Sequence, residues 1–200
     1  MSRKNIFLGL TLFSIVTLTV CSCEKTPEPE PTPEIKETKT LTVDATKYDK
    51  WVYVSFVHGK VVEVSDYKND LSWDMAIHRY DIRLNGGAAG KGQGAALETS
   101  YTDLSALTDI PASGYVVDVM DSIRVSMPPT YAYQPINHEA SKWMYIDESI
   151  MPPTNDTYKP SNKVYVFKTA EGKHIKIKFI DYINAENVKG HIKFSYVYMD

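Results

Sequence analysis

The sequence predicts an all-β fold in one domain of about 160 residues, enough for a core of its own. Three observations support this class. From Lys39 onward, apolar and polar residues mostly alternate, which is the period of a strand with one solvated face. The alternating runs are rich in Val, Ile, Tyr and Phe. No segment shows the long amphipathic period of a helix. We therefore predict strands joined by turns and loops.

In chain order, the runs that fit a strand are KTLTVDA, WVYVSFV, KVVEVS, SWDMAIHRYDIRL, GYVVDVMDSIRVS, KWMYID, KVYVFKTA, KHIKIKFIDYI and GHIKFSYVYM. The clearest is 173–183, where Lys176 and Lys178 alternate with apolar residues, and TAEGK before it supplies a hairpin turn. Residues 184–189 are predicted to form at most a helical turn or two. Because KTLTVDA is the first of these runs, the first strand is predicted to begin near Lys39.

The N-terminal segment has the pattern of an export signal. Arg3 and Lys4 precede an apolar run from Ile6 to Val20 that is too short for a membrane span. The run ends in VCSC, which resembles the lipobox at which bacterial lipoprotein signals are cut. Cys23 follows the small residue Ser22 and is the preferred lipidation site, with Cys21 as the alternative. We predict a signal peptide at 1–22.

A tether and a cysteine-free domain are expected to follow. Residues 23–38 comprise the lipidated cysteine and a stretch of alternating proline and glutamate, which favours an extended, unburied chain. After cleavage at Cys23 the folded domain, 39–200, has no cysteine for catalysis, metal binding or disulfides. Loss of Arg3 and Lys4 changes the formal charge from -3 to -5, so nucleic acid is not expected as a partner.

Sites for catalysis and for phosphate binding have little support. GGAAGKGQG, residues 86–94, lacks the spacing of a phosphate-binding loop and is predicted to be a turn or loop between strands. His78 shares a predicted strand face with Asp74, but no third metal ligand or nucleophile is close in sequence. A hydrogen-bonded structural histidine is therefore the favoured interpretation. We predict that the protein is not an enzyme.

The tetrapeptide MPPT occurs twice, beginning at Met127 and at Met151. A methionine near a loop usually fills a core. Here Pro-Pro follows each one, which restricts the backbone and presents each thioether from a stiffened segment. A thioether is a soft ligand for low-valent iron or copper and an established axial haem ligand. Two such loops are suited to clamp both faces of a macrocycle, and core packing or chance repetition is the alternative.

Longer stretches of the sequence resemble a known family. KYDKWVYVSFVHGKVVEVSDYKNDLSWDMAIHRYDIRLNGGAAGKGQGAA, then GYVVDV, TYKPSNKVYVF and FIDYINAENVKGHIKFSYVY are similar to the HmuY family of haem-binding surface lipoproteins from anaerobic bacteria. The resemblance implies a hand-like all-β fold that binds haem b. It also implies a haemophore that takes haem from host carrier proteins and delivers it to a TonB-dependent outer-membrane receptor. Such a protein is lipid-anchored at the outer membrane, surface-exposed, and in some cases shed.

The resemblance also suggests the axial ligands. The best-known members use two histidines, whereas the second position falls on Met151 here and the first lies within 126–141. Met127 with Met151 is the preferred pair, His138 with Met151 the second, and Met144 a distant third. Thioethers favour ferrous haem. Predicted pocket neighbours are Tyr131, Tyr133, Trp143 and Tyr145. The competing hypothesis is a glycan-binding or adhesion lipoprotein that binds no haem.

Overall fold

A computed structural model describes residues 36–200, and the all-β class predicted from sequence is confirmed. The predicted signal peptide, both cysteines and most of the tether lie outside the described residues. Within 36–200, no helix combines the length and apolar composition needed to cross a bilayer. The first strand begins at Lys39, and the single four-residue α-helix of this region is α1, His138–Ser141.

Thirteen strands make up the rest of the regular structure, apart from two short 3₁₀ turns at Leu104–Ala106 and Asn155–Thr157. The strands are β1 (Lys39–Asp44), β2 (Val52–Ser55), β3 (Lys60–Val62), β4 (Met75–His78), β5 (Asp81–Leu84), β6 (Ala95–Glu98), β7 (Val119–Arg124), β8 (Tyr131–Ile136), β9 (Met144–Ile146), β10 (Tyr158–Pro160), β11 (Val164–Lys168), β12 (His174–Ile183) and β13 (Lys189–Tyr198).

Two larger antiparallel sheets enclose the main core. One has five strands in the order β1-β13-β12-β11-β6, and the other has four in the order β3-β2-β4-β5. Phe56, which follows β2, lies 4.9 Å from the Tyr196 ring of β13, and its carbonyl accepts a 2.7 Å hydrogen bond from the Tyr196 hydroxyl. Both side chains are fully buried, so apolar burial and one hydrogen bond join the two sheets.

The run SWDMAIHRYDIRL, predicted as one strand, is a tight hairpin. β4 and β5 pair with His78 opposite Asp81, which leaves Arg79 and Tyr80 as the turn. Arg79 adopts a φ of 56°, and its Nη1 donates to the Thr46 and Lys189 carbonyls at 2.8 and 3.2 Å. These long-range hydrogen bonds stabilise a left-handed backbone that a non-glycine residue rarely adopts. The prediction of one continuous strand is therefore wrong at Arg79 and Tyr80, which form the turn.

The structural role predicted for His78 is confirmed. Its Nε2 lies 2.7 Å from the Tyr48 carbonyl oxygen and its Nδ1 lies 3.3 Å from Asp81 Oδ2. Asp74 accepts hydrogen bonds from the backbone N–H groups of Phe56 and Ala170 at 2.8 and 2.9 Å. Both side chains are buried and joined to the backbone, so they serve the fold.

The glycine-rich segment is a loop, as predicted, and it wraps around one buried amide. The Asn85 side chain donates to the Trp73 carbonyl at 2.9 Å and accepts from Gly92 N–H at 3.2 Å. A Cβ on Gly90 would lie 2.1 Å from Asn85 Oδ1, so the loop requires glycine there for close approach. Its amides therefore bind the protein itself.

Two pairs of strands form small sheets of their own, and we name each pair a finger. The first finger is the β7–β8 hairpin, 119–136, whose turn is 125–130. The second finger is the β9–β10 pair with its connecting loop, 144–160. β6, β8 and β10 were not predicted from sequence. In the first finger, Pro135 lies in a strand that pairs with only one neighbour, which is where proline is tolerated.

Candidate functional site

The first finger is attached to the core by a buried asparagine. Asn137 follows β8, and its backbone N–H donates to the Ile82 carbonyl at 2.8 Å. Its side-chain amide donates to Asp118 Oδ1 and to the Val116 carbonyl, both at 2.9 Å. The amide oxygen caps α1 by accepting from Ala140 N–H at 2.8 Å. One fully buried residue therefore joins β5 through its backbone, and the segment before β7 and α1 through its side chain.

Asp118 is the acidic partner in this attachment. It is 2 % exposed, and its Oδ2 accepts a hydrogen bond from Leu84 N–H at 2.9 Å. Burial is the largest influence and raises the pKa of Asp118 to about 7, against the lowering effects of Asn137, Leu84 and Arg83. The base of the first finger is therefore sensitive to pH near neutrality.

The turn of the first finger presents Met127. The turn is closed by a 2.8 Å hydrogen bond from Val125 N–H to the Thr130 carbonyl. Inside it, the Ser126 hydroxyl donates to the Pro128 carbonyl at 2.5 Å and accepts from Thr130 N–H at 3.1 Å. Met127 is 63 % exposed, so its thioether lies on the surface of a closed turn and fills no core in this conformation.

The loop of the second finger presents Met151 in a similar way. Asp147 N–H donates to the Thr157 carbonyl at 2.8 Å and closes the loop at its base. The Asn155 amide donates to Asn187 Oδ1 at 3.1 Å, which attaches the loop to the turn before β13. Met151 is 76 % exposed, and the peptide bonds that join Met127 and Met151 to the following prolines are both cis.

A set of stacked side chains connects the two fingers. We call Tyr48, Arg79, Tyr80 and Tyr182 the bridging cluster. The Arg124 guanidinium, at the end of β7, lies 5.2 Å from the Tyr48 ring centroid, and Arg79 lies 4.6 Å from the same centroid. Arg79 also lies 5.6 Å from the Tyr182 ring, whose centroid is 5.4 Å from that of Tyr158, the first residue of β10.

This chain of contacts determines where the two methionine loops begin. Arg124 immediately precedes the turn that carries Met127, and Tyr158 immediately follows the loop that carries Met151. Both residues contact the bridging cluster, so the loop-bearing ends of the fingers are separated by only a few side chains. The sequence-predicted methionines thus lie on two closed, exposed loops, and one end of each loop connects to the bridging cluster.

Burial and charge set the protonation of the phenols in this region. Burial raises the pKa of Tyr80 to about 12, with further raising by Asp81 and by the neighbouring tyrosines. Burial also raises the pKa of Tyr182, against a lowering effect of Arg79. Both phenols remain protonated at neutral pH, so they keep their hydroxyl donors and add no negative charge beside the arginines.

The remaining candidate ligands lie in different surroundings from the two loop methionines. His138 begins α1 at the base of the first finger, where its Nε2 lies 3.0 Å from Asp121 Oδ2. Met144 is 8 % exposed and belongs to the main core. Neither residue lies on a loop tip. Among residues 36–200, no group of three or more His, Cys, Asp or Glu side chains has the arrangement of a metal site.

The four predicted pocket neighbours separate into two groups. Tyr131 and Tyr133 on β8 and Tyr145 on β9 are 67 %, 69 % and 58 % exposed, so their rings are free to contact a ligand. Trp143 is fully buried, stacks on Phe179 at 4.5 Å and donates its Nε1 hydrogen to the Tyr80 carbonyl at 2.8 Å. In this conformation its ring supports the turn under the bridging cluster from within the core.

Sequence analysis missed the bridging cluster and the cations around it. Lys189 Nζ lies 4.7 Å from the Tyr158 ring centroid, so Lys189 is a second cation near the cluster in addition to Arg124. The residues involved come from the segments near 48, 80, 124, 158 and 185 and meet only in the folded chain. Their one sequence signal was the Arg-Tyr pair at 79–80 within an otherwise apolar run.

Comparison with known families and structures identifies relatives of this chain. A family model described as HmuY protein matches residues 47–196. A chain described as a HmuY-like haem-binding protein from Bacteroides vulgatus is 35 % identical, with 83 % of this chain and 97 % of that chain covered and a TM-score of 0.67. No protein of curated function matches the sequence.

Two further solved structures are similar over the same extent. A chain described as a lipoprotein from Bacteroides fragilis is 33 % identical, with 84 % of this chain and 95 % of that one covered and a TM-score of 0.69. The ligand-free HmuY analogue of Tannerella forsythia is 28 % identical, with 84 % and 99 % covered and a TM-score of 0.65.

Proposed function

The chain belongs to the HmuY family, and from this membership we propose that it is a haem-binding surface lipoprotein that captures haem for iron acquisition. The relative from Bacteroides vulgatus, described as haem-binding, is 35 % identical over most of both chains, which supports haem as the ligand. The observation that carries the proposal for this chain is the pair of exposed methionines on two closed loops that both connect to the bridging cluster.

We assign the axial iron ligands to Met127 and Met151. Most methionines pack into cores, but these two are 63 % and 76 % exposed, so ligation would replace no core contact. Each loop is closed by backbone hydrogen bonds, so little conformational entropy is lost when its thioether binds iron. Tyr131, Tyr133 and Tyr145 are available to cover the apolar faces of the macrocycle.

The ligand type determines the preferred oxidation state. A thioether is neutral and soft, so two of them stabilise ferrous iron more than ferric iron. His138, which would hold ferric haem better, has its Nε2 next to Asp121 at the base of the first finger. Haem b, iron protoporphyrin IX, is therefore expected to bind this protein more tightly after reduction.

Capture is one half of the proposed role, and delivery is the other. We propose that the lipid on Cys23, or on Cys21, anchors the domain at the outer membrane and that the Pro/Glu-rich tether holds it away from the surface. Haem taken from host carrier proteins would pass to a TonB-dependent outer-membrane receptor. The relative described as a lipoprotein supports the anchored state.

The proposal is tested by titrating haemin into the purified protein with and without dithionite and recording absorbance spectra. We expect a low-spin spectrum in the reduced sample and a markedly weaker affinity, at least tenfold, in the oxidised sample. Spectra of free haem in both states would refute haem binding. Equal affinity in both states would refute methionine ligation while leaving haem binding intact.

Glycan binding is the second candidate, and one groove favours it. The groove has a volume of about 950 Å³ and lies between β2, β3 and the first finger. Its walls include Trp51, Tyr53, Tyr67 and Tyr133, and Trp51 is held by a 2.7 Å hydrogen bond from its Nε1 to Gln134. Oligosaccharide binding that is lost in Trp51→Ala, together with no haem spectrum, would favour this candidate.

A further inference from the structure

Positive charge is concentrated beside the two methionine loops. Arg79 belongs to the bridging cluster, Arg124 lies against its Tyr48 ring, and Lys189 lies against Tyr158, which contacts its Tyr182 ring. None of the ion pairs formed among residues 36–200 involves any of these three side chains. In a protein whose formal charge is -3, three unneutralised cations at one place are a distinctive feature.

Arg79 shows that this charge is incompletely compensated. The residue is 9 % exposed, its Nη1 donates to two backbone carbonyls, and its Nε has no hydrogen-bond partner among the described residues. Burying a guanidinium without a carboxylate is unfavourable, and the stacked Tyr48 and Tyr182 rings offset this cost only in part. Asp81, the acidic neighbour of Tyr80, already lies 3.3 Å from His78 Nδ1. An anion bound close to the bridging cluster would therefore be stabilised by the charge of Arg79.

Arg124 and Lys189 are placed to contact such an anion. Both are half-buried. The guanidinium of Arg124, in the first finger, lies against the Tyr48 ring, and the Lys189 ammonium lies against the ring of Tyr158, in the second finger. Arg124 Nε donates to the Ser126 carbonyl at 3.0 Å, which orients the guanidinium at the start of the Met127 turn. Each cation therefore lies beside one end of a methionine loop, Arg124 at the start of the Met127 turn and Lys189 against Tyr158, which follows the Met151 loop.

We infer that Arg124 and Lys189 bind the two propionate groups of haem, with Arg79 supplying further positive charge beneath them. This inference rests on the haem binding proposed above. Arg124 Nε bonds to the carbonyl of Ser126, the residue before Met127, so a macrocycle whose iron meets Met127 lies close to this guanidinium. The site thus selects a tetrapyrrole with two carboxylates and fixes which edge enters first.

The test compares haem with haem dimethyl ester, in which both propionates are esterified and uncharged. Each is titrated, reduced and in the same detergent, into wild type, Arg124→Gln, Lys189→Gln and the double variant. Lys60→Gln is the matched control, because Lys60 is exposed on β3 and its substitution removes the same single positive charge. Thermal melting of each variant confirms that it remains folded.

We expect each single variant to weaken haem binding about fivefold to tenfold and the double variant to weaken it further. Wild type should bind the ester more weakly than haem, and the variants should bind the ester as wild type does. Unchanged haem affinity in both variants, or an equal loss for haem and ester, would overturn the inference. Absence of a low-spin spectrum for wild type with either compound would instead refute the proposed function itself.

Discussion

Replacing Asn137 by alanine removes the side chain that joins the first finger to the core. The substitution deletes three buried hydrogen bonds, to Val116, Asp118 and Ala140, and leaves those groups without their partners. At about 1 kcal/mol for each hydrogen bond, with an added penalty for unsatisfied groups, we expect a loss of about 4 kcal/mol in the free energy of unfolding. For a domain of this size that corresponds to about 8–16 °C in Tm.

Urea unfolding followed by circular dichroism measures this loss, with the slope m expected to stay unchanged. Asn69→Ala is the control, because Asn69 is exposed and its side chain bonds only to Asp66 among the described residues. We expect the control to change stability by less than about 0.5 kcal/mol. A loss below about 1 kcal/mol in Asn137→Ala would show that the Asn137 side chain does not hold the first finger to the core.

Three further predictions follow from buried or paired side chains. Burial raises the pKa of Asp118 to about 7, so the folded state keeps a proton that the unfolded state releases above about pH 4. The stability that this group contributes therefore falls as the pH rises from about 4 to 7. The Asp118→Asn substitution should remove about 5 °C of the Tm difference between pH 5 and pH 8. An unaltered difference would contradict this. His138→Ala should leave the affinity for reduced haem within about twofold, because His138 pairs with Asp121 away from the loop tips; loss of the low-spin spectrum would instead identify it as a ligand. Trp143→Phe should lower the free energy of unfolding by about 2 kcal/mol, since the Nε1 bond to Tyr80 is lost, and should leave the haem spectrum unchanged; a changed spectrum with full stability would place Trp143 in the pocket.

Strands with strong alternation could be predicted from sequence because their pattern is local. Lys176 and Lys178 alternate with buried isoleucines in β12, and the TAEGK turn before it has Gly172 at a φ of 86°. The β4–β5 turn could not be found in the same way. It contains no Gly, Pro or Asn, and the hydrogen bonds that stabilise Arg79 are donated to the carbonyls of Thr46 and Lys189, which are distant in sequence.

The candidate site was predictable to a similar extent. The repeated MPPT identified the two loops, since proline next to methionine is visible in sequence. Whether a side chain is buried depends on tertiary packing, so exposed Tyr145 and buried Trp143, two residues apart, were not distinguished. The bridging cluster depends on contacts between Tyr48, Arg79 and Arg124, which no local pattern encodes.

The most direct test of the central claim is the absorbance spectrum of reduced haem bound to Met127→Ala and Met151→Ala. Met120→Ala is the matched control, because Met120 is 41 % exposed on the same finger as Met127 but lies on β7, away from the turn. We predict that each loop variant loses the six-coordinate low-spin spectrum and that Met120→Ala keeps it. A wild-type spectrum in either loop variant would contradict ligation by the two methionines.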